Sequence, residues 1–145
     1  MPELPEVQTV IDYLKKEIIG LKIKQIEIKN EKFLKNTAIG IFKEKLINKK
    51  IVDIKRKGKY LIFETHDSYL ISHLRMEGKY FIKDNKEEIT KHEHIIFVFE
   101  NFDLRYHDTR KFGRMSLIAK DKIDDYFKNL GPDANSDVDI DYLYN

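Results

Sequence analysis

The chain contains no cysteine, which excludes disulfide bonds and any cysteine-ligated zinc site within its 145 residues. No apolar run approaches the ~20 residues needed to cross a bilayer. The opening MPELPEVQTV carries glutamates and prolines where a secretory signal needs positive charge followed by an apolar stretch. These absences predict a soluble protein, expected in the cytoplasm. Internal repeats and low-complexity segments are lacking too. Net charge is small, +2, yet unevenly spread: residues 1–120 hold 25 Lys/Arg against 18 Asp/Glu, and residues 121–145 hold 2 against 7. A basic body of this kind favours a polyanionic partner through counterion release. A merely lysine-decorated surface would show the same balance, so charge alone leaves the partner open.

With 41% hydrophobic residues, the chain has enough for one ordinary core. Leu4, Val7, Ile11, Leu14 and Ile18 recur at spacings of three and four, predicting an amphipathic helix over Glu3–Ile19 that Gly20 stops. From Leu21 to Ile28 the period becomes two, with a phase shift at Gln25/Ile26 that suggests a bulge. Ala38–Ile47 reads as a second short helix. Strands are predicted at Ile51–Lys55, Lys59–Glu64, Tyr69–His73, Lys79–Ile82, His94–Glu100, Asp103–His107 and Arg114–Ile118, most of them separated by Gly, Asn, Asp or Ser turn signals. Lys122–Leu130 forms a final helix closed by Gly131-Pro132. One helix followed by many short strands implies an α+β, mainly β, fold: a two-layer antiparallel sandwich with a flanking helix at each end. Residues 1–131 are expected to form this domain. Residues 132–145 read as a polar linker and the start of a further element.

The amino terminus has chemistry of its own. Proline at position 2 usually permits removal of Met1, leaving a secondary amine at the chain end. An α-amino group has an unperturbed pKa of about 7.7–8, so much of it is unprotonated near neutrality. Such an amine can attack a sugar C1′ and form an iminium that serves as an electron sink. Glu3 places a carboxylate beside it for proton transfer, and Glu6 follows one helical turn on. A helix that merely starts with proline and acidic residues would look the same.

Further segments narrow the choice. PELPEV at the start, RKGKYL at 56–61, HLRMEG at 73–78, KHEH at 91–94, DTRKFG at 108–113 and LGPD at 130–133 together resemble the formamidopyrimidine-DNA glycosylase family, in order and at matching spacing. The resemblance covers this whole chain and about the first half of a full-length member. It implies that Pro2 is the nucleophile, that Glu3 and Glu6 assist it, and that Lys59 contacts phosphate beside the lesion. His73 and His92 are implied to hold the DNA backbone. Met76, Arg110 and Phe112 are implied to fill the gap left when a damaged base is extruded, with arginine meeting the orphaned partner base. Each has a plainer reading: a solvated lysine, a structural histidine, core packing for Met76 and Phe112, and a salt bridge from Arg110 to Asp108. His92 and His94 at i, i+2 share one face of a strand, a metal-site spacing, but no third ligand lies near in sequence and no metal is expected.

The PELPE opening and the Met/Arg/Phe set separate this chain from endonuclease VIII, whose members typically open PEGPE, and imply oxidised purines as substrates. Arg75 departs from the small residue common at its place. The implied activity is a bifunctional glycosylase/AP lyase acting by a Schiff base on damaged double-stranded DNA. No cofactor is expected in the chemistry, and structural zinc only in a C-terminal finger beyond these residues. A monomer is expected, with weak DNA binding and little or no turnover for this chain by itself. A non-catalytic DNA-binding module and a proline-dependent tautomerase are the other readings of the same residues.

Overall fold

The computed structural model describes residues 4–58, 60–75 and 78–128, and their side chains from residue 8 onward. Helix α1 (Leu4–Ile18) is followed by β1 (Gln25–Ile28), a 3-10 turn (Glu31–Phe33) and α2 (Ile39–Leu46). Then come β2 (Asp53–Lys57), β3 (Tyr60–Glu64), β4 (Ser68–His73), β5 (Lys79–Lys83), β6 (Glu93–Val98), β7 (Asp103–His107) and β8 (Arg114–Ala119). A 3-10 turn (Lys120–Lys122) leads into α3 (Ile123–Lys128). The strands make two four-stranded antiparallel sheets, ordered β1-β6-β7-β5 and β2-β3-β4-β8. This is the α+β sandwich that the helix-then-strands pattern predicts. No helix among the described residues is long and apolar enough to cross a membrane.

Alternation explains the central layer. Ile54, Leu61, Phe63 and Leu70 from one sheet meet Ile26, Ile95, Phe97, Leu104 and Tyr106 from the other, all essentially buried. Helix α1 adds Ile11, Leu14 and Ile18 to that core, and Gly20 takes φ +88° just past the helix, as a C′ residue does. The helix runs antiparallel to β2: Lys15 pairs with Asp53 at 3.8 Å, and the Gly20 amide donates to the Ile51 carbonyl at 2.8 Å. From Lys15 back to Leu4 the helix rises about 16 Å, and β2 advances about 13 Å from Asp53 to Lys57. The start of α1 is therefore level with the β2–β3 turn.

The outer faces are covered as well. Ile62, Tyr69, Ile71 and Ile118 pack under Ile123 and Phe127 of α3. On the far face of the other sheet, Arg105 is fully buried. It bonds Asp103 and Glu93 and donates to the carbonyls of Asp84, Glu87 and Glu88. One side chain thus fastens the β5–β6 loop onto the sheet.

Several boundaries differ from the sequence expectation. The extended reading from Leu21 shrinks to Gln25–Ile28, with Lys22 making a single bridge to Lys50. The irregularity lies instead on β6, between Glu93 and Ile95 opposite β7. The strand expected at His94–Glu100 is Glu93–Val98, and the final helix ends in the described part at Lys128. The expected linker, residues 132–145, lies outside the described residues.

Candidate nucleic-acid interface and catalytic end

The topology brings the motif segments to one end of the sandwich. In the second sheet, Lys57 pairs with Tyr60, Tyr60 with His73 and His73 with Arg114. These four positions form a row across β2, β3, β4 and β8, each strand about 4.8 Å from the next. In the first sheet, Lys79 pairs with His107 and His107 with Glu93. Residues 74–78 join His73 to Lys79, and residues 108–113 join His107 to Arg114, so the β4–β5 and β7–β8 crossings between the sheets both occur at this end. By the helix-to-strand register given above, the start of α1 points the same way.

Pro2, Glu3, Lys59 and Met76 lie outside the described residues, and Glu6 is described only as backbone within α1. The other four expected site residues sit on this end. His73 is half-buried and stacks on Tyr60 with ring centroids 4.3 Å apart. His92 sits just before β6, its ring edge-on to His107 at 5.6 Å. Burial, with His92 close by, lowers the pKa of His107 and favours the neutral imidazole. Arg110 is exposed, and Phe112 leaves 56% of its surface in solvent. Phe112 therefore does not pack in the core, the plainer of its two sequence readings.

The expectation that His92 and His94 share one strand face is corrected. The irregularity after Glu93 breaks the alternation. His94 turns inward, stacked on Phe33 at 4.6 Å and bonded through Nε2 to the Asp108 carbonyl at 2.8 Å. His92 remains at the rim. The two rings have different surroundings.

Asp108 organises the 108–113 loop. It is 1% exposed. Its Oδ1 accepts from the amides of Arg110 and Lys111 at 3.1 and 2.9 Å, and its Oδ2 accepts from the Gly113 amide and the Tyr106 hydroxyl, each at 2.9 Å. Bonds to a charged acceptor contribute about 1.5–3 kcal/mol each. The carboxylate that could have paired with the Arg110 guanidinium is thus engaged by the loop backbone. Arg114 fixes the same loop from the other side, donating to the Lys111 and Gly113 carbonyls at 2.9 and 2.6 Å. Lys111 is held at φ 63° and Arg75, in the other loop, at φ 58°. Non-glycine residues in this region are uncommon and collect where a site over-determines the backbone.

Among the described residues, several cations are exposed at this end. Arg75, Lys79, Lys91, Arg110 and Lys111 are exposed, whereas Glu93 and Asp108 are buried beneath them. Fixed backbone, an exposed aromatic wedge and projecting cations suit a surface that holds phosphates and enters a base stack. Sequence reading missed Asp108 as an organiser, along with Tyr106 and Arg105. Their signals were an aspartate five residues before a glycine, and an arginine among strand residues that are otherwise apolar or paired.

Comparison with known proteins agrees with this reading. The family model described as "Formamidopyrimidine-DNA glycosylase N-terminal domain" matches residues 1–115. The chain is 49% identical over 144 residues to the formamidopyrimidine-DNA glycosylase of Streptococcus pneumoniae strain R6, covering 97% of this chain and 52% of that protein. Against the Enterococcus faecalis protein of the same name it is 42% identical over 141 residues, covering 95% and 50%. Among solved structures, MutM in complex with DNA containing carbocyclic 8-oxo-G superimposes with TM-score 0.83 at 46% identity, covering 88% of this chain and 49% of that one. The Lactococcus lactis Fpg complex with DNA containing Fapy-dG gives TM-score 0.82 at 45% identity, covering 87% and 48%. The chain spans about half the length of the relatives it matches. Over that half, the family model, the sequence identities and the superpositions agree, and the chain belongs to the formamidopyrimidine-DNA glycosylase family.

Proposed function

We propose that this chain is the catalytic half of a DNA repair enzyme that excises oxidised purines and then cleaves the strand. The observation that carries this reading is the convergence of the 74–78 loop, the 108–113 loop and the start of α1 on one end, where several cations are exposed. In the proposed reaction a damaged base leaves the duplex, at a cost of a few kcal/mol in stacking and pairing. The Pro2 nitrogen attacks C1′ and displaces the base, with Glu3 assisting proton transfer and Glu6 close behind it. The resulting iminium draws electrons from the sugar and promotes β- and then δ-elimination, leaving a gap bounded by phosphates.

Lys59, His73 and His92 grip the bent backbone, while Met76, Arg110 and Phe112 occupy the vacated stack. The exposure of Phe112 supports this division of labour, because an apolar ring in solvent is matched to a partner that will cover it. Damaged double-stranded DNA is the partner, and no cofactor takes part in the chemistry. The purine preference is tested under single-turnover conditions, with protein in excess over duplex. Release of 8-oxoguanine faster than of an oxidised thymine supports it. The reverse order contradicts it.

A further inference from the structure

The two loops assigned to void filling come from different strands, yet they rest on one buried hydroxyl. Tyr106 is fully buried in β7, its ring 5.5 Å from Phe33 and 5.2 Å from Tyr80. Its hydroxyl donates to Asp108 Oδ2 at 2.9 Å. A Cβ built on Gly78 would stand 2.6 Å from this oxygen, and one built on Gly113 would overlap it. Both glycines are therefore places where backbone approaches the tyrosine more closely than any side chain permits. Gly78 is bonded to its own loop, its amide donating to the Leu74 carbonyl at 3.0 Å. That bond spans the residues that include Met76 in sequence. Gly113 follows Phe112, and its amide shares Asp108 Oδ2 with the tyrosine.

A continuous contact path thus runs from the Leu74–Gly78 segment through the Tyr106 hydroxyl and the Asp108 carboxylate to the amides of Arg110, Lys111 and Gly113. Burial first, and then the nearby Tyr80 and Asp108, push the phenol pKa upward, so it remains a hydrogen-bond donor. A phenylalanine here would keep the ring contacts and lose only the atom that both loops touch.

We infer that Tyr106 is a positioning residue: its hydroxyl, bonded to Asp108, sets the 74–78 and 108–113 loops relative to one another so that their side chains enter the DNA stack together. This rests on the glycosylase reading above. The residue touches no substrate, and its effect is expressed through Phe112 and its neighbours.

The test uses this chain, two duplexes, three single variants and one double variant. Fluorescence anisotropy compares affinity for a duplex carrying a tetrahydrofuran abasic analogue with affinity for the undamaged duplex. Wild type is expected to prefer the abasic duplex. Tyr106→Phe is expected to reduce that preference roughly tenfold, the worth of one bond to a buried carboxylate, while undamaged binding stays the same. Asp108→Asn, which weakens the same bonds, gives the same pattern. In a Phe112→Ala background, Tyr106→Phe costs less than it does alone, because part of its effect passes through Phe112. Amide exchange supplies a readout independent of DNA: Gly78 and Gly113 exchange faster in Tyr106→Phe, while Ile96 and Phe97 in β6 do not.

An unchanged preference with unchanged glycine exchange overturns the inference. So do equal losses on both duplexes, or losses that add in the double variant. A wild-type chain with no preference for the abasic duplex overturns the glycosylase reading, and the inference with it.

Discussion

At the scale of single residues, Arg75 shows how a loop can keep a shape that its sequence resists. Its φ of 58° costs a non-glycine residue about 1–2 kcal/mol, and its exposed side chain returns little packing. Arg75→Gly is expected to stabilise the fold by about 0.5–1 kcal/mol, the left-handed cost relieved less the extra entropy that glycine loses. Urea denaturation checks this. A lower midpoint in the glycine variant would mean that the arginine side chain holds the loop. The departure at position 75 was visible in the sequence, but its backbone conformation was not, because φ depends on the contacts closing the loop at Gly78. The same limit hid Tyr106. Composition marks it as a core aromatic, and only the three-dimensional approach of Gly78 and Gly113 gives its hydroxyl a role. Phe112 was the reverse case. Apolar composition favoured the core, the family resemblance favoured the surface, and the ring is exposed.

At the scale of elements, the strands were legible because short apolar runs, continuous where both faces are covered as in β4 and β6 and alternating where one face is open as in β5, are bounded by turn residues. Misplaced boundaries occurred where tertiary pairing decides. Lys22 bridges to Lys50 alone, so the period-two pattern before Gln25 never becomes a ladder. The β6 irregularity was illegible for a similar reason: it answers the pairing with β7, not a local turn signal. The β5–β6 loop gives a pH prediction. Burial opposes the charge on Glu93, but bonds from Lys83, the Thr90 amide and Arg105 outweigh it and hold the carboxyl below its ordinary value of 4.5. A carboxyl depressed on folding contributes stability above its unfolded pKa, and that contribution is lost as pH falls through the folded value. Wild type should therefore lose stability steeply below about pH 4.5. Glu93→Gln should be less stable at pH 7 and depend less on pH in that acid range. Parallel stability curves for the two proteins would show that Glu93 is not the group responsible.

At the scale of the whole molecule, the sandwich brings the motif segments to one end, where two crossings between sheets and the start of α1 coincide. The basic excess of residues 1–120 acquires a location there, in exposed Arg75, Lys79, Lys91, Arg110 and Lys111. The chain matches about half the length of its relatives, so its grip on DNA is proposed to be correspondingly weak and its turnover slow. Chemistry at the amine needs neither tight binding nor fast release, which makes it the most direct test. Borohydride reduction is applied to the chain mixed with a duplex containing an abasic site, after mass spectrometry has confirmed that the chain starts at Pro2. The account predicts a covalent protein–DNA adduct mapped to Pro2 and lost when Met1 is retained. Correctly processed protein that yields no adduct would contradict the account of Pro2 as the nucleophile.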